Sequence, residues 1–266
     1  MPFLRVKIRT RDPQGVLSRL LAGGEPPLTS DFLPEEDLLL LVYPAEGLHE
    51  RLRRLARLLP REDFEETELA ESPELEERTF EVGPLVFRAV WRSRPVSSGE
   101  IFLKANLSFG SGRHATTLLC LRTLVRLAEK GPLGRVFDLG CGSGILALAA
   151  ARLGAPQVLA VDIDLRAVRE ARHNVEMNAL GERVLVVKGS LSAARPRSFD
   201  LVLANLTIGT ILALAPEIPQ VLRPGGMAVL SGFGPPQEEA LRARLPKALV
   251  LGREVLEGWE ALILGF

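Results

Sequence analysis

Three glycines at alternate positions, Gly140, Gly142 and Gly144, follow an acidic residue, Asp138, and precede a second acidic residue, Asp162. Glycine lets a backbone turn tightly and leaves no Cβ in the way of a ligand. A carboxylate about 20 residues beyond such a turn, at a strand's carboxyl end, suits bidentate hydrogen bonding to ribose hydroxyls. The spacing is GxGxG, with Ile145 beyond it, where a dinucleotide fingerprint needs GxGxxG. Asp138 at the entry to the turn would repel a pyrophosphate and suits an ammonium group. The chemistry indicated is recognition of a ligand that offers ribose hydroxyls and an ammonium group, with no pyrophosphate at Asp138.

These residues need a strand before the turn and a helix after it. Val136 to Leu139 is apolar and short, as a buried strand is, and Ile145 to Ala151 is alanine-rich and helical. Val158 to Val161 forms the next strand and ends at Asp162-Ile163-Asp164. Ser190 stands at the end of a third strand and Asn205 at the end of a fourth, where Asn205 reads either as a ligand-facing amide or as the cap of a helix over 208–215. Pro224-Gly225-Gly226 then leads into a strand from Met227 to Ser231. Upstream, Leu107 to Thr117 is a loop containing Gly110 and Gly112 and ending in Thr116-Thr117, before a helix from Leu118 to Glu129. Either threonine would serve as its N-cap. His114 in that loop reads as a hydrogen-bonding spacer or as an acid–base group; His49 and His173 fall on amphipathic helical faces. This alternation of helix and strand from Ile101 onward predicts an α/β domain with a parallel sheet.

The chain has 266 residues, 33 basic and 33 acidic, and a hydrophobic fraction of 47%. That is enough for a large domain plus a small one, and zero net charge advertises no bare nucleic-acid binder. Cys120 and Cys141 lack the spacing of a metal site, so none is expected. No signal-like or membrane-length apolar run is present, which predicts a cytoplasmic protein with no membrane partner. Residues 1–70 read as strand, helix, strand, helix, strand, a small α/β unit with no catalytic constellation. Residues 71–100 read as an acidic, helical linker over Glu71 to Glu77, then a β-hairpin from Thr79 to Trp91 around Gly83-Pro84, then an irregular stretch. Residues 101–266 form the large domain.

The stretches VFDLGCGSG, VDID and LRPGG resemble motifs of class I S-adenosylmethionine-dependent methyltransferases. With FGSGRHATT, DLGCGSGILALAAARLGA and Ala204-Asn205-Leu206 beside them, the chain more narrowly resembles the bacterial methyltransferases of ribosomal protein L-eleven, the PrmA type. The resemblance implies a Rossmann-like seven-stranded methyltransferase domain with an antiparallel final hairpin, and a small ferredoxin-like N-terminal domain for substrate recognition. It departs from the family pattern at Ser111, Leu165 and Ser190. The absence of NPPY after the fourth strand argues against methylation of DNA adenine or of glutamine amides.

The implied cofactor is S-adenosylmethionine. Gly140, Gly142 and Gly144 would lie against it, Asp138 would orient its ammonium group, and Asp162 would hold the ribose. Ile163 and Ser190 would meet the adenine, and Thr117 and Asn205 the methionine end; His114 and Asn205 are the catalytic candidates. The implied reaction is methyl transfer to amino groups of a ribosomal protein, by a monomer; the alternative is a class I enzyme acting on RNA or a small molecule.

Overall fold

A computed structural model of the chain describes residues 3–33, 37–60, 63–70, 79–90, 100–104 and 114–266. The linker over 71–77, the irregular stretch over 92–99 and the loop from Leu107 to Arg113 lie outside the described residues. The chain divides into two units, residues 1–77 with 105–107 and residues 78–104 with 108–266.

In the N-terminal unit, strand β1 (Phe3–Arg9) alternates apolar and basic residues, so Leu4, Val6 and Ile8 are buried while Arg5, Lys7 and Arg9 face away from that core. Helix α1 (Pro13–Ala22) starts on Asp12, whose side chain accepts the Gly15 N–H at 2.9 Å, with Pro13 at its first position. Strands β2 (Thr29–Leu33) and β3 (Leu38–Pro44), helix α2 (Leu48–Leu58) and strand β4 (Phe64–Ala70) follow. The antiparallel sheet runs β2-β3-β1-β4. That is the βαββαβ, ferredoxin-like arrangement. It contains one strand more than the periodicity indicated: β2 reads Thr-Ser-Asp-Phe-Leu, with too little apolar alternation to show. β4 is an edge strand, and its glutamates pair with β1 through Lys7–Glu66 and Arg9–Glu65.

In the second unit, β5 (Thr79–Val82) and β6 (Leu85–Val90) form the expected hairpin, and β7 (Glu100–Lys104) lies parallel to β6. The large sheet is built from β8 (Val136–Leu139), β9 (Val158–Asp162), β10 (Val184–Lys188), β11 (Phe199–Asn205), β12 (Leu222–Phe233), β13 (Leu249–Leu256) and β14 (Trp259–Gly265). Its order is β10-β9-β8-β11-β12-β14-β13, with β14 running opposite to the other six strands. This is the seven-stranded class I methyltransferase fold with its antiparallel final hairpin. Helices α3 (Ala115–Lys130), α4 (Ile145–Arg152) and α5 (Leu165–Met177) share one core with Val158, Ala160, Val184 and Val186. Helices α6 (Ile208–Leu214), α7 (Ile218–Val221) and α8 (Glu238–Arg244) share a second core with Phe137, Leu139 and Val161 on the other face. Alanines at 147 and 149–151 let α4 lie flat on the sheet.

Two buried amides, Asn174 on α5 and Asn178 at its C-cap, tie β7 to this unit. Asn178 Oδ1 accepts the Phe102 N–H at 2.8 Å and its amide donates to the Phe102 carbonyl at 2.6 Å, while Asn174 Oδ1 accepts the Lys104 N–H at 2.8 Å. Side chains here finish hydrogen bonds that a sheet neighbour would otherwise make. No described helix is long and apolar enough to cross a membrane.

Candidate functional site

Strand order reverses between β8 and β11, and in a doubly wound sheet the crevice at the carboxyl ends of the strands flanking that point is where ligands bind. The candidate residues converge there. Gly140 (φ +73°), Gly142 (φ +53°) and Gly144 (φ +80°) all take the left-handed conformation that glycine tolerates. The turn is also tightly packed. A Cβ on Gly140 would lie 2.3 Å from Leu206 Cδ2, and one on Gly144 would lie 3.2 Å from the Ala171 Cβ.

Asp162 ends β9 with both carboxylate oxygens engaged from one side. Oδ2 accepts the Gly142 N–H at 3.0 Å and Oδ1 accepts the Asp164 N–H at 2.9 Å. A carboxylate oxygen has two lone pairs, so each retains accepting capacity for a hydroxyl. Ile163, next to it, is 75% exposed, an unusual place for a large β-branched side chain that packs on nothing. The Gly189 N–H donates to the Asp162 carbonyl at 2.9 Å, which sets half-buried Ser190 beside the same strand end. Asp164 caps α5 by accepting the Arg166 N–H at 2.8 Å, and its hydrogen bonds from Arg166 hold its carboxyl below the usual range.

Asp138 is buried, 1% exposed, and its Oδ2 accepts the Ala147 N–H of α4 at 3.0 Å. Burial pushes its pKa up to about 7, against the lowering effect of that hydrogen bond. The carboxyl therefore sits near its titration point at neutral pH. Cys141 and Cys120 are buried free thiols, both pushed up by desolvation, Cys120 to about 12. Neither is a nucleophile at neutral pH.

Across the switch point, Asn205 Nδ2 donates to Thr117 Oγ1 at 3.2 Å, joining the end of β11 to the first turn of α3. The expected capping roles are corrected by the backbone. The N-cap of α3 is His114, whose Nδ1 accepts the Thr116 N–H at 3.4 Å and lies 2.8 Å from Thr116 Oγ1. Thr116 and Thr117 both lie inside the helix, buried. The N-cap of α6 is Thr207, and the Asn205 side chain reaches Thr117 of α3 instead of capping that helix. Burial lowers the His114 pKa, the neighbouring Glu257 partly opposing this, so the imidazole is neutral and able to accept at the cap. Its ring meets the edge of Trp259 at 5.1 Å between centroids, with 65° between planes.

Trp259 and Leu206 touch candidate residues, Trp259 the His114 ring and Leu206 the Gly140 turn, and sequence reasoning missed both. Trp259 opens the last strand, about 145 positions from His114, and nothing local announces the pairing. Leu206 had a local signal, since it follows Asn205 in the quoted motif. Its backbone also explains Gly232 (φ +107°), where a Cβ would fall 1.9 Å from the Leu206 carbonyl oxygen.

The family model of the ribosomal protein L11 methyltransferases (PrmA) matches residues 61–264. A ribosomal protein L11 methyltransferase of Pelotomaculum thermopropionicum is 44% identical over 151 residues, covering 56% of this chain and 48% of that protein. Another, from Desulforamulus reducens, is 35% identical over 187 residues, 68% of this chain and 60% of that protein. The chain thus spans about half the length of the curated relatives it matches. Among solved structures, a ribosomal protein L11 methylase from Lactobacillus delbrueckii subsp. bulgaricus superposes with a TM-score of 0.59 at 30% identity, covering 68% of this chain and 92% of that one. The motifs read from the sequence and the order of the seven strands agree with these matches, and the chain belongs to the ribosomal protein L11 methyltransferase (PrmA) family.

Proposed function

We propose that the chain transfers methyl groups from S-adenosylmethionine to amino groups of a ribosomal protein, the large-subunit protein L11. The observation that carries the cofactor half is the Asp162 carboxylate, pinned by the Gly142 and Asp164 N–H groups beside an outward-facing Ile163. That arrangement fits a nucleoside: hydroxyls to the carboxylate, base against isoleucine and Ser190. Gly140, Gly142 and Gly144 fit an amino-acid tail passing close to the backbone, with Asp138 below the turn as the group that favours its ammonium. The substrate half rests on the family.

S-adenosylmethionine, when bound, supplies a methyl group on a sulfonium, already activated toward a nucleophile. The protein's work is positioning and desolvation. Asn205 and Thr117 form a hydrogen-bonded polar pair at the end of β11, where the acceptor would meet the methyl group, with the Leu206 side chain packed against Gly140. The acceptor amine must arrive unprotonated, and a desolvating wall favours that form. His114 and Trp259 supply such a wall, and the neutral imidazole adds no repelling charge. Residues 1–70 serve substrate recognition in this reading, since their buried core contains no paired catalytic groups.

The test is incubation of the protein with methyl-labelled cofactor and purified ribosomal proteins, followed by intact-mass measurement. L11 should gain mass in units of one methyl. Label appearing only in ribosomal RNA, or in no ribosomal component, would overturn the reading.

A further inference from the structure

The connection from β10 to β11 is too short to cover the sheet. Helices α4 and α5 cover one face of β9 and β10, whereas on the other face the chain between Lys188 and Phe199 makes only a single 3₁₀ turn, Leu191–Ala193. Parallel sheets are ordinarily covered on both faces. Of the side chains that alternate onto the second face, Leu159 and Val187 are half-buried at the margin of the second core, while Leu185 on the edge strand β10 is 62% exposed. They floor a groove of about 360 Å³.

The groove's rim is basic. Arg135, Arg183 and Arg195 line it with one acidic residue, Glu182. Arg135 lies over the Phe199 ring at 5.6 Å, Arg183 Nη1 reaches the Ala151 carbonyl at 3.3 Å, and exposed Arg195 makes no ion pair among the described residues. These residues precede β8 and β10 or lie in the short connection before β11, at the amino ends of the strands. Asp162 and Asn205 lie at the carboxyl ends, a five-residue strand away, roughly 16 Å.

The geometry points to this groove as a docking surface for an acidic amphipathic helix of a partner protein. The aliphatic floor takes apolar side chains at helical spacing and completes the missing layer of the sheet. The guanidinium groups of Arg135 and exposed Arg195 match carboxylates on the flanks of that helix, while Arg183 is held to α4 on the other face of the sheet. Bases would need an open aromatic platform; the one ring here, Phe199, is 5% exposed and has Arg135 across it. The basic rim lies at the opposite ends of the strands from Asp162 and Asn205, while Val187 and Ala193 carry the far end of the groove toward Gly189 and Ser190.

The test uses the full chain and a fluorescein-labelled peptide of about eighteen residues, with leucines at helical spacing flanked by glutamates. A twin carries lysines in place of the glutamates, and a short single-stranded RNA is the third probe. Fluorescence anisotropy should show the glutamate peptide binding at least about tenfold more tightly than its twin. Binding should weaken about tenfold in Arg195→Glu and be lost in Leu185→Asp, with melting temperature and cofactor binding unchanged in Arg195→Glu. Equal binding of the two peptides, no binding of either, or indifference to Arg195→Glu would overturn the proposal. Tighter binding of the RNA, lost in the same variants, would overturn it in favour of a nucleic-acid surface.

Discussion

Asp138 and Asp162 are two carboxylates at the ends of neighbouring strands in different surroundings. Asp162 is half-exposed and bonded to two N–H groups, whereas Asp138 is buried and pushed up to about 7. The stability consequence of Asp138 has a definite sign. Below the ordinary carboxylate value, near 3.8, the group is protonated in both folded and unfolded chains. As pH rises from there to about 7 the unfolded chain releases a proton that the folded one keeps, so stability falls across that window. Asp138→Asn keeps an oxygen for the Ala147 N–H and cannot ionise. Its melting temperature should therefore improve relative to the parent by several degrees between pH 4 and pH 8; a constant difference would contradict the buried-acid assignment. Cofactor binding reads the same group from the other side. If Asp138 favours an ammonium group, affinity for S-adenosylhomocysteine should rise with pH through about 7 in the parent and stay flat in Asp138→Asn. Asp162→Ala, which removes the proposed ribose acceptor and releases two N–H groups, should weaken that binding by about tenfold to a hundredfold in calorimetry, from hydrogen bonds worth ~1.5–3 kcal/mol to a charged group. Unchanged affinity would exclude Asp162 from the site.

At the scale of elements, what was legible from the sequence was what local pattern encodes. The glycine turn, the strand ends at Asp162 and Asn205, and the hairpin around Gly83-Pro84 are contiguous signals, and the structure places each on the expected element. β2 escaped because its polar residues have no period-two signature, and its pairing with β3 is a tertiary choice. The α3 cap was assigned to a threonine by preference scales, yet His114 occupies it, since a neutral ring can accept as a cap and also pack against Trp259. Asn174 and Asn178 look like surface residues of an amphipathic helix until β7 is laid across them. Gly232 makes the same point. Nothing in its neighbourhood in sequence marks it, but its φ of +107° and the Leu206 carbonyl oxygen both exclude a side chain. Gly232→Ala should cost about 2 kcal/mol or more and displace the Leu206 backbone. Gly154 (φ +96°) has open space around it, so Gly154→Ala carries only the backbone penalty, about 1 kcal/mol. Equal losses of melting temperature in the two variants would show that the Leu206 contact carries no weight.

At the scale of the molecule, the two units have separate cores. Leu4, Val6, Ile8, Leu20, Leu41, Tyr43 and Leu55 pack within the first, and no buried residue of that cluster belongs to the clusters around the seven-stranded sheet. The hairpin of β5 and β6 goes with the second unit, since Val82, Leu85 and Phe87 are buried with α3 residues Leu121, Leu124 and Val125. Each unit thus has the minimum a domain needs, its own buried core. All the candidate cofactor residues lie in the second unit, and the first contributes buried aliphatic side chains, a tyrosine, and the Glu25 ion pairs with Arg51 and Arg54. Binding and recognition should therefore separate. A chain from Arg78 to Phe266 should bind S-adenosylhomocysteine with an affinity within about threefold of the full chain, because it keeps every residue of the crevice. On the proposed function, its rate of methyl transfer to intact L11 at low substrate concentration should fall by at least about a hundredfold, because the recognition energy that proposal assigns to the first unit would be gone. Its rate toward a short peptide, too small to reach both units, should be low and equal in the two forms. Retention of full activity on intact L11 by the shorter chain would remove the recognition role from residues 1–70. Loss of cofactor binding would instead show that the second core does not stand alone.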